Sequence, residues 1–418
     1  MVQLKDDCFT AGDGLMPLAQ GLALLTGRLS PVVGVEDVAI REARGRVLAA
    51  DLVAGRHVPP HDNSAVDGFA VSFDDLDGNG ETALKVSGRA AAGHPLRVPA
   101  AAQEAVRIFT GAPMPDGLDT VFMQEDCRID AGRVILPPGI KRGANRRFKG
   151  EDVKKGATIL ETGKLLRPQE IGLAASVGCA RLSVYRRLRV AVFSTGDEVF
   201  DPADEAAEGG IFDANRYTVM GLLEGLGSAV SDIGILADDE DAIGQALAPA
   251  AAAHDLLITS GGVSVGEEDH VKAAVEALGQ LHFWRLAIKP GRPIALGRVG
   301  ETAFVGLPGN PVAAMVTFMR IARPVVLLLS GRRDIEPPLY RVQADFAHDK
   351  KTGRREWLRA RLVRDGGGGL AAVKYPGGGS GILSSMVEAD GLVELGEEQG
   401  PVSRGEMVDF LPFGEVGS

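Results

Sequence analysis

A chain of 418 residues has room for about three domains. Its 45% hydrophobic and 24% charged residues exclude a disordered or fibrous protein. A formal net charge of −11 argues against nucleic acid as the main partner, because that binding neutralises phosphates with Lys and Arg. A small anion held on a local basic patch stays compatible with it.

The three cysteines, Cys8, Cys127 and Cys179, are far apart and form no CxxC pair. That argues against a disulfide framework or a thiolate zinc site and suits a reducing compartment. The opening MVQLKDDCFT has no basic segment leading into an apolar one, so no signal peptide is expected. The most apolar run, Pro311 to Ser330, is interrupted by Arg320 and Arg323 and reads as a buried helix, not a membrane span. These features predict a soluble cytoplasmic protein with no membrane contact.

In chain order, Leu18, Leu22, Leu25 and Leu29 fall at helical spacing behind Pro17, and Val35, Val38 and Ile40 mark a second element. From 57 to 147 the texture becomes strand-like, with runs at Gly68–Ser72, Val106–Thr110 and Thr120–Gln124 between turn residues. Residues 148–186 return to an apolar, helical texture. They are expected to pack with residues 1–56, which makes 57–147 a β-rich insertion into a discontinuous domain. From 187 to 332 strands and helices alternate. Strands are predicted at Leu188–Phe193, Val230–Leu236, Asp255–Thr259, Phe283–Ile288 and Ala303–Leu307. Helices are predicted at Asn215–Leu226, Ala242–Ala251, Asp269–Leu278 and from Pro311. Such alternation predicts a doubly wound, mostly parallel α/β domain. Residues 333–418, broken by Gly366–Gly369 and Gly377–Gly379, read as a small all-β domain.

Ligands of an open α/β sheet bind at the carboxyl ends of its strands. Three small-residue loops are predicted there: Ser194-Thr195-Gly196-Asp197-Glu198, Ser260-Gly261-Gly262-Val263-Ser264, and Gly306 to Pro311 through Pro308. Small residues let backbone amides approach an anion, as at a phosphate site. One such loop is an ordinary turn; three at one sheet edge suggest a site. Neither dinucleotide-binding nor P-loop spacing is present. Asp197, Glu198, Asp238 and Asp269 fall near the same strand ends, where converging carboxylates suit a hard cation such as Mg²⁺. Asp238 and Asp269 also precede helices and could be N-caps instead. His270 beside Asp269 reads as a polar helix residue. Arg285, Lys289 and Arg292 surround the turn Pro290-Gly291, which could aim two cations at one anion or simply be solvated. The run Lys141–Lys149 is densely basic in an acidic chain and is read as either a solvated loop or an anion contact.

The segments Asn63–Ala70, Phe109–Pro115, Gly150-Glu151-Asp152, Ser194–Glu198, Ser260–Asp269, Leu286–Pro293 and Gly306–Pro311 occur in the order of one family. The chain resembles the molybdopterin molybdenumtransferases, and the related C-terminal domain of gephyrin, over nearly its whole length. The resemblance implies a homodimer of elongated four-domain subunits. These would comprise a linker domain containing helices, a β-rich insertion, a molybdopterin-binding α/β domain and a C-terminal small β-barrel. It implies that molybdenum passes from molybdate into adenylylated molybdopterin, with AMP and molybdenum cofactor as products. Mg²⁺ would be held by Glu198, Asp238 and Asp269.

The family's catalytic positions correspond to Asp67, Thr110, Asp152, Glu198, Asp238, Asp269 and Lys289. Its substrate-binding positions correspond to Arg147, Pro308, Pro311, Arg359 and Ser380. The loop residues Ser194, Thr195, Gly196, Ser260, Gly261 and Gly262, with Arg285 and Arg292, are the remaining candidates for binding substrate. Two departures stand out: Arg285 occupies a position that often holds Lys, and His270 one that often holds Tyr. A molybdopterin adenylyltransferase is the nearest rival reading, and a non-catalytic scaffold on the same fold is a second. The enzyme supplying the adenylylated pterin and the enzymes accepting the cofactor are the other expected contacts.

Overall fold

A computed structural model describes residues 15–262, 270–291, 293–364 and 366–416. Its centre is a six-stranded sheet in the α/β region. We label strands Arg189–Thr195 (β1), Ala229–Leu236 (β2), Leu256–Ser260 (β3), Gly279–Arg285 (β4), Pro293–Val299 (β5) and Thr302–Leu307 (β6). The helices used below are Asn215–Gly225 (α1), Glu240–Ala253 (α2), His270–Leu278 (α3) and Pro311–Thr317 (α4). The sheet order is β2-β1-β3-β6-β5-β4, and the first four strands run parallel.

β1 and β3 are apolar runs without polar alternation because helices cover both faces of the sheet. Val190 and Val192 meet Val219 and Leu223 of α1 in one core. Ala191 and Phe193 meet Ile243 and Leu247 of α2, with Val271 and Val275 of α3, in the other. From β1 the chain crosses to β2 on one side, then returns to β3 on the other. The winding therefore reverses between β1 and β3, and the loops leaving them diverge to open a crevice.

The antiparallel strand β5 is absent from the sequence-based expectation. It pairs with both β4 and β6, and Gly297 at its centre, read alone, is a strand breaker. A Cβ at Gly297 would lie 2.2 Å from the Gln280 carbonyl oxygen, so close strand approach demands the glycine there. The expected strand Phe283–Ile288 also divides. β4 ends at Arg285, and Ile288–Lys289 leaves the sheet to pair in parallel with Arg355–Glu356.

Helix Leu18–Arg28 buries Leu18, Leu22 and Leu25 in the same core as Trp284 and Leu286. Its apolar stripe thus belongs with the α/β region, which corrects the expectation that it packs with residues 148–186. The rest of the N-terminal segment does meet those residues: Val35–Ala39 pairs with Arg181–Tyr185, and Leu52–Val53 with Thr158–Leu160. Between these halves lies a separate six-stranded sheet built from residues 68–136. Gly68 in that sheet approaches Phe122 so closely that a Cβ would sit 1.7 Å from its carbonyl oxygen.

At the C-terminal end, Arg355–Arg364 pairs with both Leu370–Lys374 and Gly391–Leu395. Tyr340–Ala344 and Met407–Pro412 complete the ring, closing a five-stranded barrel. The run Pro311–Leu329 is a core helix, 94% buried along its most apolar stretch. It passes through a π-helical turn at Phe318–Ala322 just before Pro324, which cannot donate a helical hydrogen bond. Its two arginines are buried and engage the barrel region. Arg320 pairs with Glu394 at 3.3 Å, and Arg323 donates to the Ile335 and Glu415 carbonyls. Glu394 also accepts from Arg355 at 2.6 Å and from the Trp357 indole at 2.8 Å.

Glu394→Ala leaves two arginines and an indole N–H without their buried acceptor, and should cost about 3–5 kcal/mol of stability. Urea unfolding followed by tryptophan emission measures it. A loss below about 1 kcal/mol would mean that solvent replaces the carboxylate.

Candidate active site

The crevice between β1 and β3 is a cleft of about 390 Å³. Ser194, Thr195, Gly196 and Glu198 line it from the β1 loop, and Ser260, Gly261 and Gly262 from the β3 loop. Gly309 and Pro311 enter from the turn after β6, and Asp238 from beyond β2. Gly196, Gly261 and Gly262 have φ of 130°, 89° and 63°, a region that side chains rarely occupy. At Gly262 a Cβ would also meet Thr195 Oγ1 at 2.5 Å. The hydroxyls of Ser194 and Thr195, only 2% and 5% exposed as residues, have no hydrogen-bond partner among the described residues. Buried polar groups left unsatisfied in a cleft are the kind a ligand completes.

Of the carboxylates singled out from the sequence, Glu198 and Asp238 reach the same cleft. Asp238 does not cap α2; its neighbour Asp239 does, accepting from the Ala242 N–H at 2.9 Å. Asp238 is thereby left to face the cleft. Asp197 is exposed and does not line it. Residues 263–269, with the candidate Asp269, and Arg292 lie outside the described residues. Among the described residues no group of three His, Cys, Asp or Glu side chains could hold a metal ion.

Three further cleft residues were not singled out from the sequence: Asn215, Asp213 and the exposed Phe212. Behind them Arg216, 3% exposed, receives Asp201, Asp213 and Asp232. Burial opposes its charge, but those three carboxylates outweigh it and raise the guanidinium pKa. This network pins the segment after Glu198 to the start of α1. An Asp-x-Asn at a helix start is the available signal, though it reads more simply as a cap.

A second, smaller cavity of about 90 Å³ lies where the β4–β5 connection meets the barrel, lined by Lys289, Glu356 and Arg359. Lys289 Nζ is 3.3 Å from Glu356, which His348 also contacts at 3.0 Å. Burial pushes the Glu356 carboxyl up, but His348 and Lys289 together hold it below its ordinary value. Arg359 is buried and donates to Ser385 Oγ and to the Gly377 and Gly379 carbonyls. Its guanidinium thus shapes the loop carrying Ser380, whose carbonyl accepts from the Val312 N–H at 3.0 Å. Gly381, next in that loop, lines the first cleft. Arg285 is exposed at the end of β4, and its carbonyl accepts from the Met16 N–H. Pro308 presents its carbonyl to Ser260 at 3.1 Å, and Pro311 opens α4.

The β-rich insertion carries a separate group. Asp67 Oδ1 accepts from the Thr110 N–H at 2.8 Å and its hydroxyl at 2.7 Å, which holds the carboxyl below its ordinary value. Two of the five cations of the basic run are paired: Arg142 with Asp74 and Asp119, and Arg146 with Asp62. Arg147 and Asp152 are exposed. No residue of 57–147 lines the β1–β3 cleft, so the structure of one chain does not bring Asp67, Thr110 and Arg147 to it.

Family comparison matches this arrangement part by part. The MoeA N-terminal region (domains I and II) matches residues 16–178, a probable molybdopterin binding domain 191–327, and the MoeA C-terminal region (domain IV) 341–413. A molybdopterin molybdenumtransferase of Haemophilus influenzae is 39% identical over 96% of this chain and 100% of its own length. The chain belongs to the molybdopterin molybdenumtransferase (MoeA) family. A second MoeA-family relative, from Nostoc sp., is 34% identical over 93% of this chain and 91% of its own. The solved moeA protein of Pyrococcus horikoshii OT3 superposes with a TM-score of 0.81 at 28% identity. That match covers 96% of this chain and 100% of the other. As a MoeA-family member this chain is a transferase of molybdenum cofactor biosynthesis.

The Asp67 carboxyl is depressed, so its pairing with Thr110 stabilises the fold above the ordinary carboxylate range and is lost as pH falls through the lowered value. Thr110→Val removes the hydroxyl bond and keeps the backbone one. Carboxyl NMR titration of Asp67 should then show its pKa move up part of the way towards its ordinary value. No movement would assign the depression to the backbone bond alone.

Proposed function

We propose that this transferase inserts molybdenum from molybdate into adenylylated molybdopterin, releasing AMP and forming the molybdenum cofactor. The observation that carries the reading is the switch-point cleft. It combines buried hydroxyls without partners among the described residues, backbone loops open to an anion, and two carboxylates, Glu198 and Asp238, free of structural bonds among those residues. An adenylylated pterin carries a pyrophosphate, and cleaving it needs charge neutralisation and positioning more than a nucleophile. No Ser–His pair is among the described residues lining the cleft.

Glu198 and Asp238 are hard oxygen donors and fit Mg²⁺, which keeps several waters and shares its shell with substrate phosphate. We assign them that role, with Asp269 as the third ligand. Bound there, Mg²⁺ would supply charge neutralisation to the pyrophosphate. Ser194 and Thr195 would donate to phosphate oxygens, and the amides of the glycine loops would face them. Lys289, on its own rim, would take molybdate, a tetrahedral dianion with no apolar surface, exchanging its contact with Glu356 for the oxyanion. Asp67, Thr110 and Arg147 would complete the site of a second subunit in a homodimer.

Glu198→Gln and Asp238→Asn should each nearly abolish insertion while leaving thermal unfolding unchanged, since both side chains sit at the cleft and not in a core. Full turnover with the same Mg²⁺ dependence rejects the assignment. For the shared site, inactive Asp67→Ala mixed with inactive Glu198→Gln under exchanging conditions should recover about a quarter of wild-type activity, because half the dimers carry one intact site. A mixture that exchanges and stays inactive rules sharing out. Lys289→Ala should raise the molybdate concentration for half-maximal insertion about tenfold and leave the pterin titration alone. The reverse pattern assigns Lys289 to the pterin phosphate.

A further inference from the structure

The amide side chain of Asn215 joins two loops that arise from different strands. Its Nδ2 donates to Ser260 Oγ at 2.9 Å and to the Gly309 carbonyl at 2.7 Å. A carbonyl oxygen can only accept, so the Gly309 contact fixes which end of the carboxamide points where. Ser260 Oγ, accepting from Asn215, donates in turn to the Pro308 carbonyl at 3.1 Å. One amide and one hydroxyl thus engage the two successive carbonyls of the turn before α4. Each of those carbonyls is drawn into a hydrogen bond within the protein. The loops are also in contact: a Cβ at Gly309 would lie 3.7 Å from Gly261 Cα.

We propose that Asn215 is a positioning residue that clamps the Ser260–Gly262 loop to the Pro308–Gly309 turn and so holds the anion-gripping slot open towards substrate. This rests on the reading of the cleft as the pyrophosphate site. Asn215 acts through Ser260 and Gly309, and its role is to set the spacing of groups that meet the ligand.

Two substitutions separate clamping from space filling. Asn215→Ala removes both bonds. Asn215→Asp keeps the shape but cannot donate, and it sets a carboxylate oxygen against the Gly309 carbonyl. An acidic residue at the first position of α1 favours the helix dipole, so Asp should not weaken the helix itself. The expected result is a KM for adenylylated molybdopterin raised about tenfold in Asn215→Ala and further in Asn215→Asp, with kcat changed much less. Melting temperatures should stay at the wild-type value. Amide exchange of Gly261 and Gly309 should quicken several-fold in both variants. An Asn215→Asp enzyme that behaves as wild type while Asn215→Ala is impaired means that the side chain only fills space, and overturns the clamp. Unchanged KM and unchanged exchange in both variants also overturn it. Should either variant prove unstable, Ser260→Ala in an otherwise wild-type chain decides: it removes the Asn215–Ser260 bond, and amide exchange of Gly261 and Gly309 at the wild-type rate rejects coupling through Ser260. Glu198→Gln is run alongside. If it retains full turnover, the cleft reading itself has failed; if it is dead while Asn215 variants are normal, only the clamp has.

Discussion

The carboxylate of Glu394 is the point on which the arrangement of the site turns. It lies on a barrel strand, is 4% exposed, and receives Arg320 from the long core helix, Arg355 and the Trp357 indole. A charge so buried is tolerable only when its lone pairs are filled, so the helix and the barrel are held in one relative orientation. That helix begins at Pro311, on the wall of the cleft. Its first turn receives the Ser380 carbonyl, and Gly381 of the same loop completes the cleft wall. The electrostatic tie between two domains therefore reaches the ligand site through one rigid element.

The parts of the site divide by how they are held. The cleft itself is backbone, glycine and small hydroxyls, built where the winding of the sheet reverses. Its charged groups sit on loops: Glu198 beyond β1, Asp213 just before α1 and Asp238 beyond β2. Outside it, cations are matched to carboxylates before any ligand arrives, as Lys289 is to Glu356 and Arg146 to Asp62. An acidic protein can keep cations in place in this way, each held against a partner that is already part of the fold.

Much of the α/β region was legible because strands covered on both faces leave unbroken apolar runs. β5 was not, because Gly297 speaks for a break until one knows that Gln280 packs against it. The choice between Asp238 and Asp239 as helix cap was invisible, since either could serve and only backbone geometry selects. Asn215 looked like an ordinary helix start; its partners Ser260 and Gly309 are 45 and 94 residues further along. The same distance hid Glu356 from Lys289 and Glu394 from Arg320. Leu18 to Leu29 announced a helix correctly, but a stripe of leucines does not name the surface it buries. Asp67 with Thr110 was read as a pair of family positions, and the hydrogen bonds joining them follow from strand register that short motifs do not contain.

The two-residue pairing of Ile288–Lys289 with Arg355–Glu356 has a consequence for how the chain can change in length. Side chains alternate along a strand, so Ile288 is buried while Lys289 faces outward to Glu356. Only two residues separate this segment from the end of β4. Inserting or deleting one residue there would exchange the two roles, forcing a lysine into the core and an isoleucine over a carboxylate. Drift in loop length, tolerated at the connections elsewhere on the surface, should be closed to this junction. Natural variation between Arg285 and Pro290 is accordingly expected as substitution, never as a change of register.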